Sequence, residues 1–194
     1  MLSAHKDRFD GIVLSTARRI AALGISPNAL TILGFLGSIV TGAALALGQL
    51  SAALVFLALT SVLDALDGAV ARISNRATEF GAFFDSLLDR YADALILLGL
   101  VIYLRDHYLL LFVVLVGTLL VSYSRAKVEA LKCKGDIGIA ERAERLIILM
   151  LAILLEIRGI DAFYPALLIL AVVTHVTVLQ RALYIRTELL NKAK

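Results

Sequence analysis

The sequence predicts an all-α membrane protein, with six transmembrane helices preceded by an N-terminal amphipathic interfacial helix, in one domain covering 1–194. Three observations predict it. Hydrophobic residues make up 60% of the 194 and charged residues only 18%, at a mean hydropathy of +0.90, whereas soluble domains run near half apolar and a quarter charged. Six apolar blocks each approach the roughly 20 residues that a spanning helix needs. The opening stretch is charged and periodic, and the first apolar block starts too late for a cleaved signal peptide.

Each element has its own pattern. Over about 4–23, Phe9, Ile12, Val13, Ala17, Ile20 and Ala21 fall near one helical face, with Lys6, Arg8, Arg18 and Arg19 among the polar positions. That pattern predicts a helix lying on the membrane surface, although a solvent-exposed leader helix has the same periodicity. The six-helix core is expected over 27–187, with apolar blocks at 28–50, 54–73, 82–104, 108–128, 146–157 with its flanks, and 162–183. Before the first block, "GISPNALT" offers Ser26 as helix N-cap and Pro27 at the first helical position. The amides that follow, near Asn28 to Thr31, form either a ready anion site or ordinary helix initiation.

The cations set the orientation. With the N-terminus inside and six spans, all but two (Arg105 and Arg158) of the 19 Lys and Arg lie on or toward the cytoplasmic side, which is the positive-inside pattern. A multi-pass protein of the cell membrane follows, with most of the acidic stretch at the cytoplasmic face. A net charge of +3 is a weak argument for nucleic acid, and cations clustered at the membrane surface favour anionic headgroups and phosphorylated ligands instead. The single cysteine, Cys133, lacks metal-ligand neighbours and a disulfide partner.

Five aspartates stand out. Asp64 and Asp67 are three apart near the end of the second block, and Asp85 and Asp89 are four apart near the start of the third, so each pair shares a helical face. A short loop makes the two helices antiparallel neighbours, and the four carboxylates can converge. Such a cluster repels itself by several kcal/mol per pair at about 4 Å if the effective dielectric is near 20, so a counter-charge is required. Hard oxygen donors suit two divalent ions, Mg²⁺ or Mn²⁺, and an ion that keeps open coordination favours a diphosphate companion. Asp93, one turn further along, either supports the cluster or pairs with a cation on a neighbouring helix, and the second role is favoured. Gly68 and Ala71 give the second helix a smooth face, Arg72 supplies a fixed cationic fork, and Gly81 opens the third helix. Close packing of membrane helices accounts for each small residue taken singly.

Together, Asp64, Asp67-Gly68, Ala71-Arg72, Gly81, Asp85 and Asp89 fit D-x-x-D-G-x-x-A-R-x(8)-G-x-x-x-D-x-x-x-D at every fixed position. The chain thereby resembles the CDP-alcohol phosphotransferase family over nearly its whole length. The resemblance implies transfer of a substituted phosphate from a CDP-linked donor to an alcohol, with release of CMP. It implies that Asp64, Asp67, Asp85 and Asp89 bind two metal ions, with Asp85 and Asp89 at the chemistry and Asp89 as general base. Asn28, Thr31, Asp67, Gly68, Ala71, Arg72, Thr78 and Gly81 would hold the CDP donor. The stretch "VSYSRAKVEALKCKGDIGIAERAERLIIL" is similar to phosphatidylinositol phosphate synthases and their archaeal relatives, which use inositol phosphate. Ser122, Arg125, Arg142, Arg145 and Arg181 would then bind the acceptor's phosphate, although membrane-anchoring cations paired with Glu141 and Glu144 are the plainer account. Arg125 stands where the bacterial enzymes lead one to expect lysine.

The donor lipid is then CDP-diacylglycerol or CDP-archaeol, the acceptor a phosphorylated polyol, and the assembly a homodimer. Glycerol 3-phosphate as acceptor and CDP-inositol as donor are alternatives within the same chemistry. A divalent-metal transporter is the alternative outside it, but would need acids spread through the membrane's depth.

Overall fold

The computed structural model describes residues 2–133 and 137–192. Every regular element among them is helical: α1 Leu2–Ala22, α2 Pro27–Ala46, α3 Leu50–Ile73, α4 Glu79–Tyr103, α5 Tyr108–Ala130, α6 Arg142–Ile157 and α7 Phe163–Lys192, with a 3-10 turn at Arg105–His107. Lys134, Gly135 and Asp136, which follow α5 in the sequence, lie outside the described residues, as do the side chains of Lys6, Arg8, Phe9 and Ile12 on α1.

Local chemistry sets the helix ends. Ser26 Oγ accepts from the Ala29 amide at 3.2 Å and Pro27 occupies the first turn of α2, as the sequence predicts. Thr78 caps α4 in the same way, accepting from the Gly81 amide at 2.9 Å. At the other end of the bundle, Glu156 Oε1 accepts from the Ala162 and Phe163 amides at 2.8 and 3.0 Å, so a side chain from the end of α6 satisfies the start of α7.

Four stretches, Pro27–Ala46, Leu50–Ile73, Arg105–Ala130 and Phe163–Asn191, are long and apolar enough to cross a membrane, and the chain is an integral membrane protein. The sequence predicts six spans, and the other two helices differ for identifiable reasons. The apolar part of α4 carries Asp89, Arg90 and Asp93. Helix α6 has 16 residues, a length of about 24 Å against a hydrocarbon core of about 30 Å.

Packing is closest where α2 crosses α3 and α4, and α5 pairs with α7. A Cβ at Gly99 would collide with the Gly42 carbonyl, and one at Gly42 would press on the Leu95 carbonyl, so α2 and α4 touch backbone to backbone. The main core joins Leu45, Leu57, Ile96, Leu100, Ile153 and Leu167 from five helices. A smaller one joins Ala17 of α1 to Leu30, Leu66, Ala69 and Val70, with Val13, Ile20 and Ala21 packed beside it. Much of the predicted apolar face of α1 is therefore packed against α3, with Leu30 of α2 in the same cluster.

Candidate active site

The acidic residues of α3 and α4 meet at one end of the bundle. Asp64, Asp67 and Asp85 each place a carboxylate oxygen within 4.8 Å of the others. Asp67 is buried, and its Oδ2 accepts from the Thr31 hydroxyl on α2 at 2.8 Å. Asp85 Oδ1 is buried with no hydrogen-bond partner among the described residues. An orphaned carboxylate oxygen in low dielectric is costly, and three carboxylates this close repel one another. A cation cures both faults, and a hard oxygen donor set fits Mg²⁺ or Mn²⁺.

Asp89 faces the same region but contacts a protein cation. Arg142 Nη1, from the first turn of α6, lies 2.8 Å from Asp64 Oδ1 and 2.9 Å from Asp89 Oδ1, as an ion pair to each. Its Nε lies 3.4 Å from Asp93 Oδ1, and Arg145 Nη2 lies 3.0 Å from Asp93 Oδ2. Asp93 thus takes the cation-pairing role that the sequence favours for it. Spacing predicts the aspartate pairs, but no local pattern predicts that α6 inserts an arginine between them.

Two cavities flank the cluster and share Asp85. One, of about 230 Å³, is lined by all the residues that the sequence resemblance gives to the donor: Asn28, Thr31, Asp67, Gly68, Ala71, Arg72, Thr78 and Gly81. The other, of about 300 Å³, is lined by Ser122, Arg125, Arg142, Arg145 and Arg181, all five residues given to the acceptor's phosphate, and by Asp85 and Asp89. Sequence reasoning gives no site role to Arg76 in the first, or to Ser86, Arg90 and Glu129 in the second, and takes Glu141 only as a salt-bridge partner.

The second cavity is held by arginines that have protein partners. Arg181 is 1% exposed and donates to the carbonyls of Ile137 and Val121 and to Glu141 Oε1, the last at 3.3 Å. It thereby fastens the segment after α5 onto α5 and α7. Arg125 pairs with Glu129 at 2.9 Å and Glu141 at 3.3 Å. Arg145 also donates to the Ala140 carbonyl at 3.0 Å. The ion pairing expected of Glu141 is present; Glu144 forms no ion pair among the described residues.

Comparison with known proteins gives one answer. The chain is 39% identical over 170 residues to the archaetidylinositol phosphate synthase of Pyrococcus horikoshii, a match covering 87% of this chain and 90% of that one. Its fold superposes on the phosphatidylinositol phosphate synthase of Mycobacterium tuberculosis with CDP-DAG bound, with TM-score 0.76 and 31% identity over 88% of this chain and 92% of that one. The same enzyme in complex with manganese and citrate gives 0.76 and 30%, over 88% and 87%. Residues 24–183 match the description "CDP-alcohol phosphatidyltransferase". Since that stretch contains every aspartate and arginine of the two cavities, the chain is an enzyme of the CDP-alcohol phosphatidyltransferase family.

Proposed function

We propose that the protein transfers a lipid phosphate from CDP-diacylglycerol or CDP-archaeol to a hydroxyl of inositol phosphate, releasing CMP. The observation that carries this is the arginine-rich cavity beside the aspartate cluster, since a phosphorylated acceptor needs such a pocket and a neutral one does not. The similarity to archaetidylinositol phosphate and phosphatidylinositol phosphate synthases supports the same acceptor class.

In this reading Asp64, Asp67, Asp85 and Asp89 hold two divalent ions, Mg²⁺ or Mn²⁺. Bound there, the ions neutralise the diphosphate and stabilise the leaving phosphate of CMP. Asn28, Gly68, Ala71, Arg72, Thr78 and Gly81 receive the cytidine and its phosphates. Thr31 fixes one oxygen of Asp67, Arg142 pairs with Asp89 Oδ1, and Asp89 takes the proton of the attacking hydroxyl. The acceptor oxygen bonds to the lipid-side phosphorus as that phosphorus parts from the bridging oxygen, and CMP leaves. No covalent enzyme intermediate is needed. Ser122, Arg125, Arg145 and Arg181 line the cavity that takes the acceptor's phosphate, which Asp89 also lines.

The reading also takes α4 and α6 as spans, so that six helices cross the cell membrane. The N-terminus and the active site then face the cytoplasm, α1 lies at the interface, and the assembly is a homodimer. Purified protein with Mg²⁺ and either CDP-lipid, offered inositol, inositol phosphate or glycerol 3-phosphate, tests the chemistry. CMP release with inositol phosphate alone is expected; release with glycerol 3-phosphate or free inositol instead would replace the acceptor.

A further inference from the structure

We propose that Arg90 is the main cation that captures the acceptor's phosphate, an assignment that rests on the second cavity being the acceptor site. To draw a phosphate dianion out of water, a pocket must offer positive charge that its own carboxylates have not already cancelled. Five arginines line this cavity, and so do five carboxylates, from Asp85, Asp89, Asp93, Glu129 and Glu141. Four of the arginines have carboxylate partners: Arg142 with Asp64, Asp89 and Asp93, Arg145 with Asp93, Arg181 with Glu141, and Arg125 with Glu129 and Glu141. Arg145 and Arg181 in addition donate to the backbone carbonyls of Ala140, and of Ile137 and Val121, bonds that they would lose on turning away.

Arg90 differs from them. It forms no ion pair among the described residues, and its one hydrogen bond, from Nη1, goes to the Ser86 carbonyl of its own helix. A guanidinium has five N–H donors in a planar fork suited to phosphate, so most of that capacity stays available in the cavity. It half-emerges from α4 one residue after Asp89. A phosphate on Arg90 therefore keeps the rest of the acceptor in the cavity that holds Asp89.

The test is Arg90→Gln and Arg90→Lys in the full-length protein with Mg²⁺ and CDP-lipid donor. Arg90→Gln should raise the acceptor KM about 10- to 100-fold and leave the donor KM within about threefold, with Arg90→Lys between the two. Binding of inorganic phosphate to the same proteins should weaken by a similar factor while CMP binding stays intact, which also shows that the variant is folded. An unchanged acceptor KM and phosphate affinity overturns the assignment, as does an equal loss for both substrates. If the wild type prefers another phosphorylated alcohol, the proposed acceptor falls, and the same KM split with that alcohol decides Arg90. If it binds no phosphate and accepts only neutral polyols, both proposals fall.

Discussion

At the scale of single residues, two positions separate function from packing. A Cβ added at Gly68 would meet only Arg72 Nη1, at an ordinary 3.5 Å, so the protein itself does not require glycine there. The position lines the donor cavity, and the methyl would occupy space that a nucleotide needs. Gly68→Ala should therefore fold with unchanged or slightly higher stability, a gain of up to about 1 kcal/mol, yet raise the donor KM about tenfold or more; an unchanged donor KM would make Gly68 a packing residue. Asp89 is argued from proton transfer. Asp89→Asn keeps the shape beside Arg142 and removes the base, so kcat should fall by about 10²–10⁴ while donor binding persists. CMP release at the wild-type rate would refute the assignment. The sequence makes these residues legible because spacings of three and four fix a helical face without knowledge of the fold. Arg142 is different, because its contacts with Asp64 and Asp89 depend on how α6 docks, 78 and 53 residues later in the chain.

At the scale of elements, the crossing of α2 and α4 determines where the site forms. Thr31 reaches Asp67 on α3, and Asn28 Oδ1 lies 3.3 Å from where a Cβ on Gly81 of α4 would stand, so α2 touches both acidic helices at one end. Near the other end it is locked to α4 by Gly42 and Gly99, where any side chain at Gly99 would strike backbone rather than a movable group. Gly99→Ala should cost about 1–3 kcal/mol, visible as earlier thermal unfolding in detergent, although it is far from the chemistry. Gly68→Ala is the natural comparison, since the two substitutions are identical in chemistry and differ in what the new methyl meets. A Gly99→Ala variant as stable as the wild type would show that the helices can separate there at no cost. The sequence marks these glycines only as small. Which of them carry a crossing becomes visible when two backbones are brought together. The same holds for Arg181, whose spacing in α7 gives no hint that it bonds the carbonyls of Ile137 and Val121.

At the scale of the whole molecule, the open question is whether α4 and α6 cross the membrane, and the fold supplies the argument. Leu146, Leu149 and Ile153 of α6 are buried in the same core as Leu57 of α3 and Ile96 of α4, which is difficult to reconcile with a helix lying outside the bundle. Asp89 and Asp93 of α4 face inward, covered by Arg142 and Arg145, and Arg90 opens onto the polar cavity that they line, so these charges do not meet lipid as bare ions. Hydropathy averaged along the chain counts such charges without seeing their partners, which is why the sequence locates all the apolar blocks but cannot say how two of them fulfil the role. The alternatives differ in a relative, measurable way. If all six helices span, Leu131 after α5 and Ile160 after α6 lie on opposite sides of the membrane; if only α2, α3, α5 and α7 span, they lie on the same side. Both are exposed, at 48% and 53%. In a Cys133→Ser background, Leu131→Cys and Ile160→Cys should react with an impermeant maleimide from opposite faces of sealed vesicles. Labelling from one common face would remove α6 as a span; with α4 removed as well, the arginines at the start of α6 would lie across the membrane from the aspartates on α3, contrary to the 2.8 Å contact between Arg142 and Asp64.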